Sequence, residues 1–112
     1  MNGYIAIILI VRDSEIDEVA YRFALLGDPT RLRIIRTVME HVEISVHEVA
    51  QLAGASRFNT SAHLNRLAVA GLVNRRRVGS TVYYRVDDRQ LHTICDSMCA
   101  SLRARARALS AV

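Results

Sequence analysis

The residues best suited to chemistry lie within DDRQLHTICDSMC, residues 87–99, a stretch that holds both cysteines and one of the four histidines of the chain. Successive residues of a helix are about 100° apart, so in a helix four of these side chains would share one narrow strip. They are Asp88, His92, Cys95 and Cys99. Two thiolates and an imidazole suit a soft ion, with a second helix completing the coordination shell. We therefore predict a site for Zn, Cd, Pb or trivalent arsenic.

Two other interpretations of this strip stay open. Free cysteine is among the most buried residue types, so Cys95 and Cys99 are equally suited to filling an apolar helix seam. The pair is also suited to sensing oxidation. Cysteines four apart fit an intrahelical disulfide poorly, but a disulfide between two subunits is geometrically easier.

Length and composition limit the class of protein. A chain of 112 residues is long enough for one domain with one core, so we predict a single domain over 1–112. The longest apolar run, 4–11, is too short to cross a membrane and unlike a signal peptide, so we expect no membrane association and a cytoplasmic location. No nucleophile with a base, phosphate loop or catalytic carboxylate pair can be assembled, so we do not expect an enzyme.

The charge is concentrated in the second half of the chain. Residues 1–50 carry five Arg and eight acidic residues, whereas residues 51–112 carry ten Arg and three acidic residues. All basic residues are Arg, whose guanidinium binds phosphates and guanine edges in a bidentate manner. This asymmetry indicates an anionic partner for the second half, with a solvated basic face as the alternative.

Apolar spacing and capping signatures predict five helices. The predicted ranges are 14–26, 29–41, 46–54, 57–71 and 87–107, and the predicted N-caps are Ser14, Asp28, Ser45 and Ser56. The predicted apolar stripes include Leu32, Met39 and Leu52. Residues 1–13 form an apolar extension whose role the sequence leaves undecided.

The order of these elements defines an architecture. Two short helices joined by a turn containing Gly54 are the sequence form of a helix-turn-helix. Next, LVNRRRV and TVYYRV flank Gly79-Ser80 with a period of two, which predicts a hairpin. We therefore predict a mainly α fold with a small β-hairpin (α+β), a winged helix-turn-helix of about five helices and a two-stranded wing.

Three blocks of the sequence resemble one family of such proteins. They are LLGDPTRLRIIRTV, ISVHEVAQLAGAS and NTSAHLNRLAVAGLVNRRRVGSTVYYRV, and they are similar to successive blocks of the ArsR/SmtB family of repressors. The resemblance implies a homodimer built from helices 14–26 and 87–107. It also implies binding to double-stranded DNA at a palindromic operator, with release by an inducer. A regulator without an effector is an alternative, and a winged helix that binds an acidic protein partner is the alternative of another class.

The expected DNA contacts lie on the second helix of the helix-turn-helix and on the wing. Short polar and basic side chains at the N-terminal end of a recognition helix reach base edges in the major groove. Here they are Ser56, Arg57, Asn59, Thr60, Ser61 and His63, of which the resemblance favours all but Thr60. On the hairpin, Arg75, Arg76 and Arg77 are expected to contact phosphates or the minor groove. Each of these side chains alone is also consistent with a solvated surface.

The usual metal sites of the resembled family are missing from this chain. Where a Cys-Val-Cys sequence binds thiophilic metals in that family, this chain has Ser45-Val46-His47. The four positions that match the family's C-terminal zinc site are Asp88, Gln90, Ser101 and Ala104, so three ligands are absent. The strip ending at Cys99 is therefore the predicted replacement.

Overall fold

A computed structural model describes residues 12–111 of the chain, which form five helices and three strands. The helices are α1 (Asp13–Leu26), α2 (Pro29–Met39), α3 (Val46–Ala53), α4 (Arg57–Val69) and α5 (Arg89–Ser110), and the strands are β1 (Ile44–Ser45), β2 (Asn74–Val78) and β3 (Thr81–Arg85). The described residues fall into two units, 12–33 and 34–111, with the boundary inside α2. The predicted extension over 1–13 lies outside the described residues except for its last two. The single domain over 1–112 remains a prediction.

In the first unit, α1 begins one residue earlier than predicted. Its N-cap is Arg12, whose side chain makes no capping hydrogen bond, so the prediction of Ser14 as N-cap is wrong. Asp13 and Glu15 place negative charge at the positive end of the helix dipole and favour this start. Three apolar residues of α1 remain exposed at helical spacing: Ile16, Val19 and Phe23.

The Asp-Pro-Thr-Arg segment joins α1 to the start of α2 through side-chain caps. The Asp28 carboxylate accepts a hydrogen bond from the Arg31 backbone N–H at 2.9 Å, which confirms its predicted capping role. The Arg31 guanidinium in turn donates to the carbonyl oxygen of Leu25 at 2.8 Å and to that of Ala24 at 3.3 Å. The Ala24 carbonyl also accepts from the Gly27 N–H at 3.2 Å, so Arg31 adds a second donor there, bonds the Leu25 carbonyl, and complements the helix dipole.

The second unit is built around a core of aliphatic residues and one tyrosine. Its most deeply buried hydrophobic side chains are Ile34, Ile35, Val38, Ile44, Val49, Leu64, Leu67, Tyr84 and Leu91. The buried stripe of α2 differs from the predicted one, because Leu32 is exposed and Met39 only half-buried, whereas Ile34 and Thr37 are buried. The helix also ends at Met39, two residues before the predicted end.

The helix-turn-helix, α3 followed by α4, has the predicted caps. The Ser45 hydroxyl accepts from the Glu48 N–H and donates to the Glu48 carboxylate, which starts α3. Gly54 ends α3 in the left-handed region at φ 68°, a conformation that disfavours other residues. Ser56 caps α4 by accepting from the Asn59 N–H at 3.1 Å. Leu52 is exposed on α3, contrary to the predicted stripe.

The strands form one antiparallel sheet in the order β1-β3-β2. The hairpin β2–β3 is the predicted wing, with Val78 paired to Thr81 across the loop Gly79-Ser80. Gly79 adopts φ 60°, as the first position of a two-residue type II′ turn requires. The predicted two-stranded wing is extended by β1, in which Ile44 pairs with Tyr84 and Ser45 with Tyr83.

The last helix, α5, starts where its aspartate cap places it. The Asp88 carboxylate accepts from the Gln90 N–H at 2.8 Å, and the helix continues to Ser110, three residues beyond the prediction. Leu91 in the first turn is buried, whereas Ile94, Met98, Leu102 and Leu109 are exposed. None of the helices within residues 12–111 is both long and apolar enough to span a membrane.

Candidate nucleic-acid interface and candidate metal site

The predicted polar residues at the start of α4 are mostly accessible. Ser56, Arg57 and Asn59 are exposed, and Ser61 is half-buried. The Ser56 hydroxyl accepts the N-cap hydrogen bond of the helix, which leaves its O–H donor and one acceptor lone pair for a ligand. The structure thus places these side chains around the N-terminal turn and a half of α4, together and at its surface.

Two predicted contact residues of α4 face inward instead. Thr60 is completely buried, and its hydroxyl has no hydrogen-bond partner among the described residues. The prediction of Thr60 as a DNA contact is therefore wrong, because it lies on the same helix face as the core residues Leu64 and Leu67. His63 is half-buried with its Nδ1 atom inside and unpaired, which leaves only the other edge of the ring for a ligand.

The most outward-facing residue at the start of α4 is one that the polar pattern missed. Phe58 is 82% exposed and lies about 180° around the helix from the buried Leu67. Ala62, one turn later, and Val69, near the end of the helix, share this outer face and are also exposed. The outer face of α4 is therefore apolar at its N-terminal end, where polar residues flank it, and the polar Asn65 separates Ala62 from Val69 further along. The spacing of Phe58 from Leu64 and Leu67 was the signal that could have identified it.

The register of the wing separates its three consecutive arginines. Directly paired residues of an antiparallel sheet point to the same face, so Arg75 lies on the face of Tyr84, and Arg77 on that of Val82. Arg76 pairs with Tyr83 and points to the opposite face. The Tyr84 hydroxyl donates to the Asn65 side chain of α4 at 3.0 Å. Arg75 and Arg77 therefore share the sheet face that contacts the recognition helix, and Arg76 does not.

A bidentate ion pair occupies Arg76. Its guanidinium donates through two nitrogen atoms to the two carboxylate oxygens of Glu43, in the connection before β1. The Arg76 guanidinium holds the pKa of the Glu43 carboxyl below its ordinary value, mainly through this hydrogen bonding. The guanidinium also lies 5.6 Å from the ring centroid of Tyr83. Arg76 is thereby positioned and neutralised within the protein, which the sequence pattern did not reveal.

Residues 49–86, which we call the acid-free segment, determine the charge of the surface formed by α4 and the wing. This segment contains six arginines and no aspartate or glutamate. Arg85 pairs with Asp87 at 2.9 Å, just as Arg76 pairs with Glu43. The other four have no ion-pair partner within residues 12–111: Arg57, Arg66, Arg75 and Arg77. The helix and one face of the wing thus carry unpaired guanidinium groups, which favour a polyanion.

The predicted metal ligands lie in one region of α5 but do not form a metal site within one chain. Asp88 is engaged as the N-cap, His92 and Cys95 are half-buried, and Cys99 is exposed. Among residues 12–111, no three His, Cys, Asp or Glu side chains are grouped closely enough to hold a metal ion. One protomer therefore offers fewer ligands than a closed soft-metal site requires, and ligands from a second helix would be needed.

The protonation of Cys95 bears on the chemistry of this region. Partial burial raises the pKa of the Cys95 thiol, with smaller contributions from Cys99 and Asp96. The thiolate is the nucleophile and the metal ligand, so at neutral pH this sulfur is a weak nucleophile and must lose its proton to bind a metal. This disfavours Cys95 as the attacking thiol of an oxidation sensor.

Comparison with known sequences connects the chain to transcriptional regulators. A family model described as a helix-turn-helix domain matches residues 26–76. The HTH-type transcriptional regulator KmtR of Mycobacterium tuberculosis is 32% identical over 82 residues, 73% of this chain and 62% of that protein. The cadmium resistance transcriptional regulatory protein CadC of Listeria innocua is 37% identical over 62 residues, 55% of this chain and 52% of that protein. The chain thus spans between half and two thirds of the length of these relatives.

Comparison with solved structures supports the fold. The antimony-specific transcriptional repressor AntR superposes with a TM-score of 0.72 at 26% identity, covering 87% of this chain and 88% of that one. A homodimeric winged helix-turn-helix DNA-binding domain from Mycobacterium bovis, a possible ArsR-family regulator, gives a TM-score of 0.71 at 26% identity, covering 83% and 88%. These similarities confirm the predicted winged helix-turn-helix, and the matched relatives are regulators and not enzymes.

Proposed function

The chain belongs to the ArsR/SmtB family of winged helix-turn-helix transcriptional repressors, and we propose that it represses transcription as a homodimer bound to a palindromic operator. The single observation that carries the proposal is the charge of the helix-turn-helix and wing. Of the four arginines without an ion-pair partner, two lie on α4, whose N-terminal turn is exposed, and two lie on the wing. Such a helix would fit the major groove, and the exposed arginines of the wing would contact phosphates beside it.

The dimer is proposed from the apolar residues that α1 and α5 each leave in water. Phe23 of α1 is 59% exposed, and both Met98 and Leu102 of α5 are 68% exposed. Contiguous exposed apolar residues on a helix mark an interaction surface. The homodimeric neighbour from Mycobacterium bovis has the same fold. A two-fold axis would place two copies of α4 in successive major grooves, about 34 Å apart.

A salt titration on two duplexes tests the DNA proposal. Binding is measured by fluorescence anisotropy with a palindromic duplex selected from a random library and with a random duplex of equal length. We expect a steep fall of affinity with salt for both duplexes, and a preference of at least 10³-fold, on the order of that of known repressors, for the selected one. Equal affinity for the two duplexes at every salt concentration would contradict the proposal. Binding only to an acidic protein would support the alternative class.

We further propose that a soft metal or metalloid ion releases the operator by binding Cys95 and Cys99 of α5, with His92 as a third ligand and the partner subunit supplying the rest. Two relatives are named for cadmium and antimony, which are thiophilic elements. The donor set of α5 has the same preference, since it includes the thiols of Cys95 and Cys99. When bound, the ion would cross-link the two copies of α5. Asp88 already has a structural role as the N-cap.

Binding of the ion would relieve repression because Cys95 and Cys99 lie next to the apolar residues of α5 that we propose to form the dimer interface. Cys99 lies between Met98 and Leu102 in the sequence, so ligation of its sulfur would change how the two copies of α5 pack. A changed packing would alter the spacing of the two copies of α4, and a rigid dimer loses affinity when this spacing departs from one DNA turn.

The effector proposal is tested by release from the operator. Wild type and the variant Cys95→Ser, Cys99→Ser are compared with Zn²⁺, Cd²⁺, Pb²⁺, As(III) and hydrogen peroxide, with bound metal measured in parallel. We expect at least one soft ion to release the wild type and to leave the variant bound. Release by peroxide alone would support oxidation sensing instead. Identical responses of the two proteins would assign the cysteines to packing.

A further inference from the structure

We propose that Phe58, together with Ala62, reads thymine methyl groups in the major groove and so determines part of the base preference of the operator. The inference rests on the proposed DNA-binding function and names the chemistry that the recognition helix selects. It differs from the polar contacts expected of Arg57 and Asn59, because it uses an apolar surface on the outer face of the helix.

The first step is the position of Phe58. It is the second residue of α4, 82% exposed, and about 180° around the helix from Leu67. Leu67 and Leu64 are fully buried, so the helix cannot turn Phe58 inward without exposing its core face. The exposure of Phe58 is therefore fixed by the way α4 packs on the core. Such a side chain in water leaves its burial free energy unrealised, and contact with a ligand can recover it.

The second step is the shape of the surface around Phe58. Ala62 lies one turn further along the same face and is exposed. Its small side chain leaves the helix backbone able to approach a ligand closely. Asn59 and Ser61 flank the face on either side, and neither is fully buried. The result is an apolar ridge one side chain wide with polar groups on its flanks.

The third step is the ligand that such a ridge fits. The floor of the major groove carries hydrogen-bonding groups and one apolar group, the 5-methyl of thymine. An apolar ridge between polar flanks therefore matches a thymine with hydrogen-bonding neighbours. The surroundings favour DNA over an apolar protein partner, because residues 49–86 contain six arginines and no acidic residue. The apolar ridge lies inside a cationic surface. Duplex DNA offers a matching group for each, the thymine methyl for the ridge and the phosphates for the arginines.

Val69 provides an internal control for this inference. It lies on the same face of α4 and is 88% exposed, so like Phe58 it is an apolar and accessible side chain. It is 11 residues from Phe58, which is about 16 Å along the helix axis. The N-terminal end of a recognition helix reaches base edges. We therefore expect Val69 to make no base contact.

The test replaces thymine by deoxyuridine in the selected operator, one symmetric pair of positions at a time. Deoxyuridine keeps base pairing and every hydrogen-bonding group and lacks only the methyl. Burial of one such group corresponds to about a fourfold change in Kd, so two half-sites give about 15-fold. We expect wild type to lose affinity by this factor at one or two symmetric positions. Phe58→Ala should bind the thymine operator more weakly and should no longer distinguish thymine from deoxyuridine there. Val69→Ala should behave like wild type.

The outcomes separate this inference from the proposed function. Sequence-specific binding by wild type with no loss at any deoxyuridine position would overturn the role of Phe58 and leave the repressor proposal standing. The role of Phe58 is equally overturned if Phe58→Ala keeps the full discrimination of wild type. Failure of wild type to prefer any duplex would overturn both. Circular dichroism of Phe58→Ala should match wild type, since the residue is outside the core.

Discussion

Replacement of Arg75 by Gln is expected to weaken DNA binding by removing one phosphate contact from each subunit. Arg75 is on the sheet face of Tyr84, which contacts α4, and it has no ion-pair partner among the described residues. Arg76, next in sequence, is on the opposite face and paired with Glu43. The structure thus predicts different effects for neighbouring arginines that sequence alone treats as equivalent.

The size of the effect follows from counterion release. The logarithm of the binding constant falls with the logarithm of salt concentration by about 0.9 for each phosphate neutralised. A dimer in which both copies of Arg75 are replaced neutralises two phosphates fewer, so its slope should be shallower by about 1.8. Relative to a 1 M reference, this corresponds to about 30-fold weaker binding at 0.15 M salt and about fivefold at 0.4 M. The difference from wild type should shrink steadily as salt rises.

Fluorescence anisotropy across a salt series measures this slope directly. The matched control is the double variant Glu43→Gln, Arg76→Gln, which removes an ion pair at constant net charge from the other face of the wing. We expect the control to have the slope of wild type. A control slope that falls as much as that of Arg75→Gln would refute the assignment of the two wing faces. An unchanged slope for Arg75→Gln would refute the wing contact itself.

Three further predictions concern single groups. Glu43→Gln alone should leave the salt slope of DNA binding as in wild type, because the Arg76 that it releases lies on the wing face opposite to Arg75 and Arg77. A slope steeper by about 1.8 would show instead that both copies of the released Arg76 reach a phosphate. Tyr84→Phe removes the hydrogen bond from the Tyr84 hydroxyl to Asn65 and should reduce the free energy of unfolding by about 0.5–1.5 kcal/mol. Urea denaturation at fixed protein concentration measures this change. Unchanged stability would show that the hydrogen bond does not stabilise the fold. The affinity for Cd²⁺, measured by competition with a chelator, should rise with pH through the ordinary thiol pKa of 9.0 and beyond. The reason is that the pKa of the Cys95 thiol is raised and this thiol must lose its proton to bind the ion. An affinity that stops rising below that pH would contradict the role of Cys95 as a ligand.

Features fixed by local chemistry could be predicted from the sequence. Ser45 and Ser56 cap their helices as expected, and Gly54 and Gly79 adopt positive φ where the chain must turn. Each of these depends on residues within three or four positions, so the pattern contains the necessary information. The order of helices and hairpin followed from the same signals and was sufficient to define the architecture.

Features fixed by tertiary pairing could not be predicted in this way. Strand β1 has two residues and exists through its pairing with β3, some 40 residues later in the chain. The Glu43–Arg76 ion pair joins residues 33 apart and separates Arg76 from the other wing arginines. The exposure of Leu32 and Leu52 likewise depends on which face of each helix meets a neighbour. Local periodicity is not informative about such contacts.

The start of α4 shows both what the sequence could predict and what it could not. Its polar pattern correctly favoured Arg57, Asn59 and Ser61 as surface residues and included the buried Thr60. The same pattern does not identify Phe58, because an aromatic side chain is more typical of a core than of an exposed contact. The distinction needs the direction of the helix face, which becomes clear once Leu64 and Leu67 are known to be buried.

The central claim is that two copies of α4 bind successive major grooves as parts of one dimer. The most direct test compares affinities for three duplexes: the selected palindrome, a single half-site, and the palindrome with five base pairs inserted at its centre. Five base pairs are about half a turn of DNA and move the second half-site to the opposite side of the duplex. The inserted duplex should bind no better than the single half-site, and the intact palindrome should bind far more tightly than both. Equal affinity for all three duplexes would contradict the claim.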